Sequence, residues 1–212
     1  MKLMLLFLAV SFASFHRITE TENEERKRHC GLSYLSLRGE YKTIGGRRVK
    51  PDEYPWLARI IYTEKVPPRS VRFKKCSGVQ ISQRHVMTAM HCVVHYDERG
   101  NLRKMDPSGF SIYFGSYCGQ HREFRNPHTA ANTTGKKWKG NALDVAGDLA
   151  IIELRDDVSP GVALPICMPQ KDTVLADSLK YAGSGMDRVA SGLGSLGALK
   201  SSMIDGVSPF NS

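Results

Sequence analysis

From Pro55 onward, short apolar runs alternate with turn signals, and that pattern sets the first expectation for the fold. Trp56–Tyr62, Gly78–Ser82, His85–Ala89, Phe110–Phe114 and Leu149–Leu154 are brief and rich in β-branched or aromatic residues. Runs of this length, separated by helix breakers such as Pro67-Pro68 and Pro107-Ser-Gly109, predict β-strands. One more strand is expected around Ser178 to Ala182. The fold class that follows is all-β, a barrel or a sandwich, with no internal repeat.

Two segments break the pattern. Phe15 to Lys42 is polar and charged, with Glu20, Glu22, Glu24 and Glu25 followed by Arg26-Lys27-Arg28. It has no sustained apolar period and reads as flexible. Near the other end, Gly183-Ser-Gly185 and a Gly/Ser-rich run from Ser191 to Ser202 hold too little apolar material to close a second core. The extreme N-terminus differs again: Met1-Lys2, the apolar stretch Leu3–Val10 and then Ser11-Phe12-Ala13 have the form of a secretory signal peptide. That stretch falls far short of the roughly 20 residues a membrane helix needs, so a secreted chain starting near Ser14, with no membrane span, is expected.

Export changes how the remaining composition reads. The five cysteines, Cys30, Cys76, Cys92, Cys118 and Cys167, face an oxidising compartment, where disulfides persist and an odd count leaves one over. Asn132-Thr133-Thr134 is a glycosylation sequon in an expected polar loop. The net charge of +9 is carried partly by expected loops, through Lys65, Arg69, Arg72, Lys74 and Lys75 and then Lys136, Lys137 and Lys139. Such clusters are either solvated loop charge or a surface for a polyanion such as a sulfated glycan. An exported chain has no nucleic acid to bind.

The candidate chemistry lies between Cys76 and Cys92, where a histidine, His91, ends an apolar strand. By itself His91 is either a strand-end histidine or a reactive one. Cys76, His91, Cys92 and His95 do not have the spacing of a structural zinc site, and export favours oxidation, so neither metal nor other cofactor is expected. The glycine-flanked serines Ser184 and Ser195 lie outside any Gly-x-Ser-x-Gly elbow. Gly192, Gly194 and Gly197 match a dinucleotide fingerprint by letter but follow no good strand, and a loop is the simpler reading.

Four stretches in order then carry a resemblance. Gly45-Gly46 leads to Pro55-Trp56; Thr88-Ala-Met-His91-Cys92 is similar to Thr-Ala-Ala-His-Cys; Asp148-Leu149-Ala150 to Leu154 is similar to Asp-Ile-Ala-Leu-Leu-Lys-Leu; and Pro165-Ile-Cys167-Met-Pro169 is similar to Pro-Ile-Cys-Leu-Pro. Together they resemble the trypsin-like, chymotrypsin-fold (peptidase S1) serine proteases over about Cys30 to Gly185. The resemblance implies an antiparallel β-barrel with His91 as general base and Asp148 as the carboxylate that orients it. It also implies disulfides Cys76–Cys92 and Cys30–Cys167, leaving Cys118 over, and an activating cut between Lys42 and Thr43.

The chain departs from that family in chemistry that matters. Thr43 stands where the family has Ile, and no Gly-Asp-Ser-Gly-Gly run carries a nucleophilic serine. In the family that serine, the oxyanion hole and the specificity pocket belong to a second barrel. The expected organisation is a signal peptide over residues 1–13 and a pro-segment over 14–42, then a first barrel over 43–170 and the start of a second barrel with a disordered tail over 171–212. The expected product is a fragment or inactive form of an endopeptidase that acts on polypeptides. The alternative is a non-catalytic secreted pseudoprotease that binds a protease, an inhibitor or a sulfated glycan.

Overall fold

The computed structural model describes residues 17–32, 47–48, 53–66, 70–114, 127–135, 147–174, 178–184 and 199–205. In chain order these form helix α1 (Glu20–His29) and strands β1 (Arg47–Arg48), β2 (Leu57–Val66), β3 (Ser70–Gln80), β4 (His85–Thr88), β5 (Val94–Tyr96), β6 (Leu102–Lys104), β7 (Phe110–Phe114), β8 (His128–Gly135), β9 (Ala150–Leu154), β10 (Ser178–Ser184) and β11 (Leu199–Asp205). Six of them close an antiparallel barrel in the order β2-β3-β4-β9-β8-β7, with β7 pairing back to β2. The all-β expectation holds at this level, and closure removes the unpaired edges an open sheet would present.

The barrel interior follows from alternation along each strand. Ala58, Ile60 and Tyr62 of β2, Phe110 and Ile112 of β7, and Ala150, Ile152 and Leu154 of β9 are buried at every second position. Tyr62 and Phe110 stack at a tilt, their ring centroids 4.8 Å apart. Gly78 of β3 faces this core where no side chain fits, since a Cβ there would lie 2.7 Å from Val86 Cγ1 and 2.9 Å from Ile60 Cδ1.

Outside the barrel, β5 and β6 form a two-stranded ribbon, and β1, β11 and β10 form a three-stranded sheet in that order. β10 and β11 pair over seven residues, from Ser178 opposite Asp205 to Ser184 opposite Leu199. β11 therefore lies within the stretch read from the sequence as a disordered tail.

The segment read as flexible likewise contains structure. α1 buries none of its residues, yet its ends are well capped. The Thr19 hydroxyl accepts the Glu22 N–H at 3.2 Å, and the Glu22 carboxylate accepts the Thr19 N–H at 2.6 Å, a reciprocal capping box. Glu20 and Glu22 sit at the positive end of the helix dipole and Arg26, Lys27, Arg28 and His29 at the negative end. Cys30, directly after the helix, is bonded to Cys167 with a Cα–Cα distance of 4.8 Å. A cross-link over 137 residues contributes about 4–5 kcal/mol in the chain-entropy picture, so α1 is tied to the barrel mainly by covalent constraint. A cavity of about 240 Å³ lies between α1 and the Ser82–His85 turn, and neither His91 nor Asp148 lines it.

Replacing Gly78 with valine is expected to destabilise the barrel by about 1–3 kcal/mol through overpacking. A lower denaturation midpoint at unchanged m-value would be the signature, and an unchanged midpoint would show that the space can relax.

Candidate active site

Pairing between β4 and β9 brings the two candidate residues together. Thr88, the last residue of β4, lies opposite Ala150, the first of β9. His91, on the 3-10 turn Met90–Cys92, is therefore three residues past this end of the ladder along the chain leaving β4, and Asp148 is two residues from the same end along the chain entering β9. Gly147, immediately before Asp148, has φ 83°, a conformation that favours glycine.

Asp148 grips this turn with both oxygens. Its Oδ2 lies 2.8 Å from His91 Nδ1, and its Oδ1 accepts the His91 backbone N–H at 2.8 Å. The Asp148 side chain is 17% exposed and that of His91 52%. Burial alone would raise the Asp148 carboxyl, but the His91 backbone N–H, the His91 imidazole and the Met90 N–H outweigh it and hold the group below its ordinary 3.8. Asp148 is thus ionised at neutral pH and has no proton to give, so the proton in the contact belongs to Nδ1. In the neutral imidazole Nε2 then carries the lone pair, the form a general base requires.

Two further contacts fix the histidine turn. Cys92, adjacent to His91, is disulfide-bonded to Cys76 of β3 with a Cα–Cα distance of 6.2 Å. A loop of 16 residues gives such a bond about 3 kcal/mol. Lys74, two residues before Cys76, donates from Nζ to the carbonyl oxygens of His91 and of Val94, the latter at 3.1 Å. The charge pattern had grouped Lys74 with solvated loop cations, but the register of β3 turns it inward. No sequence signal marked it, because its partners are backbone carbonyls.

The donor atoms of Cys76, His91 and Cys92 lie within 4.8 Å of one another, as a metal cluster would require. The two sulfurs are bonded to each other, so this cluster offers no thiolate, and His95 stands on β5 apart from it. Asn132 lies on β8 rather than in a loop, just past a bulge at Ala130/Asn132, and its Oδ1 accepts the Thr133 N–H at 2.8 Å. The sequon's polar residues mimic a loop, but the ladder to β9 carries them as a strand. Ser184 ends β10, opposite Leu199. Lys42, Thr43, Cys118 and Ser195 lie outside the described residues.

The structure thus presents, on a closed antiparallel barrel, a histidine oriented by a partly buried aspartate beside a clamping disulfide. The Trypsin family model matches residues 43–208, and the chain belongs to the trypsin-like serine protease family. Among curated proteins it is 28% identical over 148 residues to Melanization protease 1 of Drosophila melanogaster, covering 60% of this chain and 34% of that one. To CLIP domain-containing serine protease B9 of Anopheles gambiae it is 32% identical over 160 residues, covering 69% and 37%. Chymotrypsin-C of Bos taurus is 23% identical over 167 residues, covering 76% and 55%. The chain thus spans between about a third and just over half of the length of these relatives. Among solved structures, GrC and HL collagenase each superpose with a TM-score of 0.55 at 17% identity. GrC covers 77% of this chain, which covers 65% of it; for HL collagenase the shares are 76% and 62%. That likeness is one of fold.

A folded-state carboxyl held below its unfolded value stabilises the protein fully above that value, and the contribution is lost as pH falls through the folded one. Asp97 titrates in the same acid region, held down to about 2 by Arg103 and by the backbone N–H groups of Asn101 and Arg99. The informative comparison is therefore wild type against Asp148→Asn. The stability gap between them is expected to be constant from neutrality down to about pH 5 and to narrow below it. A gap unchanged into acid would mean that Asp148 is not the depressed carboxyl.

Proposed function

We propose that this chain supplies the base-bearing half of a serine endopeptidase site and that alone it does not hydrolyse peptide bonds. One observation carries the reading: Asp148 holds His91 as an oriented base, while the sequence contains no Gly-Asp-Ser-Gly-Gly run to present a serine to it. Oxyanion donors are worth roughly 3–4 kcal/mol of transition-state stabilisation, and in the family they accompany that serine. Given a serine from outside these residues, His91 would take its hydroxyl proton during attack on a substrate carbonyl and return it to the leaving amine, with Asp148 fixing the tautomer.

The substrate class is polypeptide. Relatives named Melanization protease 1 and CLIP domain-containing serine protease B9 support a protease reading. Secretion is supported by the signal-like residues 1–13 and by two disulfides, which persist in oxidising compartments. A family match that begins at residue 43 supports an activating cut between Lys42 and Thr43. The Cys30–Cys167 bond would keep residues 14–42 attached afterwards. Asn132 remains the proposed glycosylation position, now on a strand.

Purified protein treated with a fluorophosphonate probe, which labels activated serines, is expected to show no labelling and no cleavage of denatured casein. Labelling would overturn the reading, and its loss in Ser184→Ala or Ser195→Ala would locate the nucleophile.

A second reading, a secreted binding protein, is favoured by the distal half of β3. Val71 and Phe73 are 48% and 63% exposed there, beside exposed Arg72 and Lys75. Such a strip suits a sulfated glycan, an inhibitor or another protease better than it suits water. Retention on a heparin column that falls in Arg72→Ala and Lys75→Ala but not in His91→Ala is the expected behaviour. Elution unaffected by the two basic substitutions would remove the glycan from the partners.

A further inference from the structure

The catalytic turn is gripped by an anion from one side, and the structure places a cation on the other. Met90–Cys92 is a single 3-10 turn with no side-chain cap at Ala89. A turn this short leaves most of its backbone groups without internal partners. At its start, the N–H groups of Met90 and His91 point to Asp148. On the other side, the carbonyl of His91 and, beyond the turn at the start of β5, that of Val94 both point to Lys74 Nζ.

We propose that Lys74 is a positioning residue for His91, the cationic counterpart of Asp148, and that the two charges clamp the turn from opposite ends. The arrangement follows the general preference for anions at the N–H end and cations at the carbonyl end of a helical turn. Burial pushes the Lys74 ammonium down and the Asp148 charge pulls it back up, so the two groups sense each other across the turn. Lys74 is also two residues from Cys76, whose sulfur is bonded to Cys92. β3 therefore holds the histidine turn twice, once covalently and once by charge. Lys75, the next residue, is exposed and has neither role.

This inference rests on reading His91 and Asp148 as a dyad, but its test does not use hydrolysis. Amide hydrogen exchange of the His91 backbone N–H reports whether the Asp148 end of the clamp stays closed. In Lys74→Met that amide is expected to exchange roughly tenfold faster or more, as the loss of a charge-assisted hydrogen bond would allow. The buried barrel amides of Ile112 and Ile152 should change far less, and Lys75→Met should match wild type. Lys74→Arg keeps the charge and should restore protection.

Unchanged His91 exchange in Lys74→Met would overturn the proposal. So would acceleration shared equally by Ile112 and Ile152, which would mark a general loss of stability. Should Lys74→Met not fold, Lys74→Arg decides alone: wild-type protection supports the clamp, and fast exchange at His91 in an otherwise protected barrel refutes it. A failed clamp would leave the fluorophosphonate result standing, and serine labelling would leave the clamp standing.

Discussion

Four residue pairs between β4 and β9, from His85 opposite Glu153 to Thr88 opposite Ala150, decide where His91 and Asp148 meet. A slip of β9 by one residue against β4 would turn Ala150, Ile152 and Leu154 out of the core and move the carboxylate away from the imidazole. Register is therefore selected by the same apolar alternation that fills the barrel, and the site is its by-product. Closure of β7 onto β2 completes the constraint, because a closed barrel has no free edge along which β9 could shift.

Upon that frame the histidine turn is held by unlike means that reinforce one another. The Cys76–Cys92 bond limits how far the turn can travel from β3, Asp148 sets the orientation and tautomer of the ring, and Lys74 occupies the His91 carbonyl of the turn and the Val94 carbonyl just beyond it. Each acts on a different atom of the same short segment. Together they leave the imidazole of His91 in one orientation relative to the barrel.

Much of this was legible in the sequence, for stated reasons. Val86, Ile112 and Ile152 announce strands because burial on one face demands alternation, and the motifs around His91 and Asp148, by resemblance, anticipate the contact the structure places between them. The cysteine pairs Cys76–Cys92 and Cys30–Cys167 came from resemblance, and the structure joins both. What escaped has a common cause. The first half of β3, Ser70–Lys75, and all of β8, with its run of Thr and Asn, are strands formed by pairing with neighbours rather than by their own apolar content. α1 has no apolar face, and its only signal is Thr19 three residues before Glu22. Lys74 bonds to backbone, which no residue pattern records.

The central claim is that His91 and Asp148 are paired in this chain as it stands, before any nucleophile is supplied. Proton NMR of the protein at neutral pH tests it through the Nδ1 proton of His91, which a strong hydrogen bond to a carboxylate moves far downfield of ordinary imidazole protons. A single such resonance, absent from His91→Ala and lost in Asp148→Asn, is the expected result. Its absence from a folded wild-type protein, or its persistence in Asp148→Asn, would contradict the pairing.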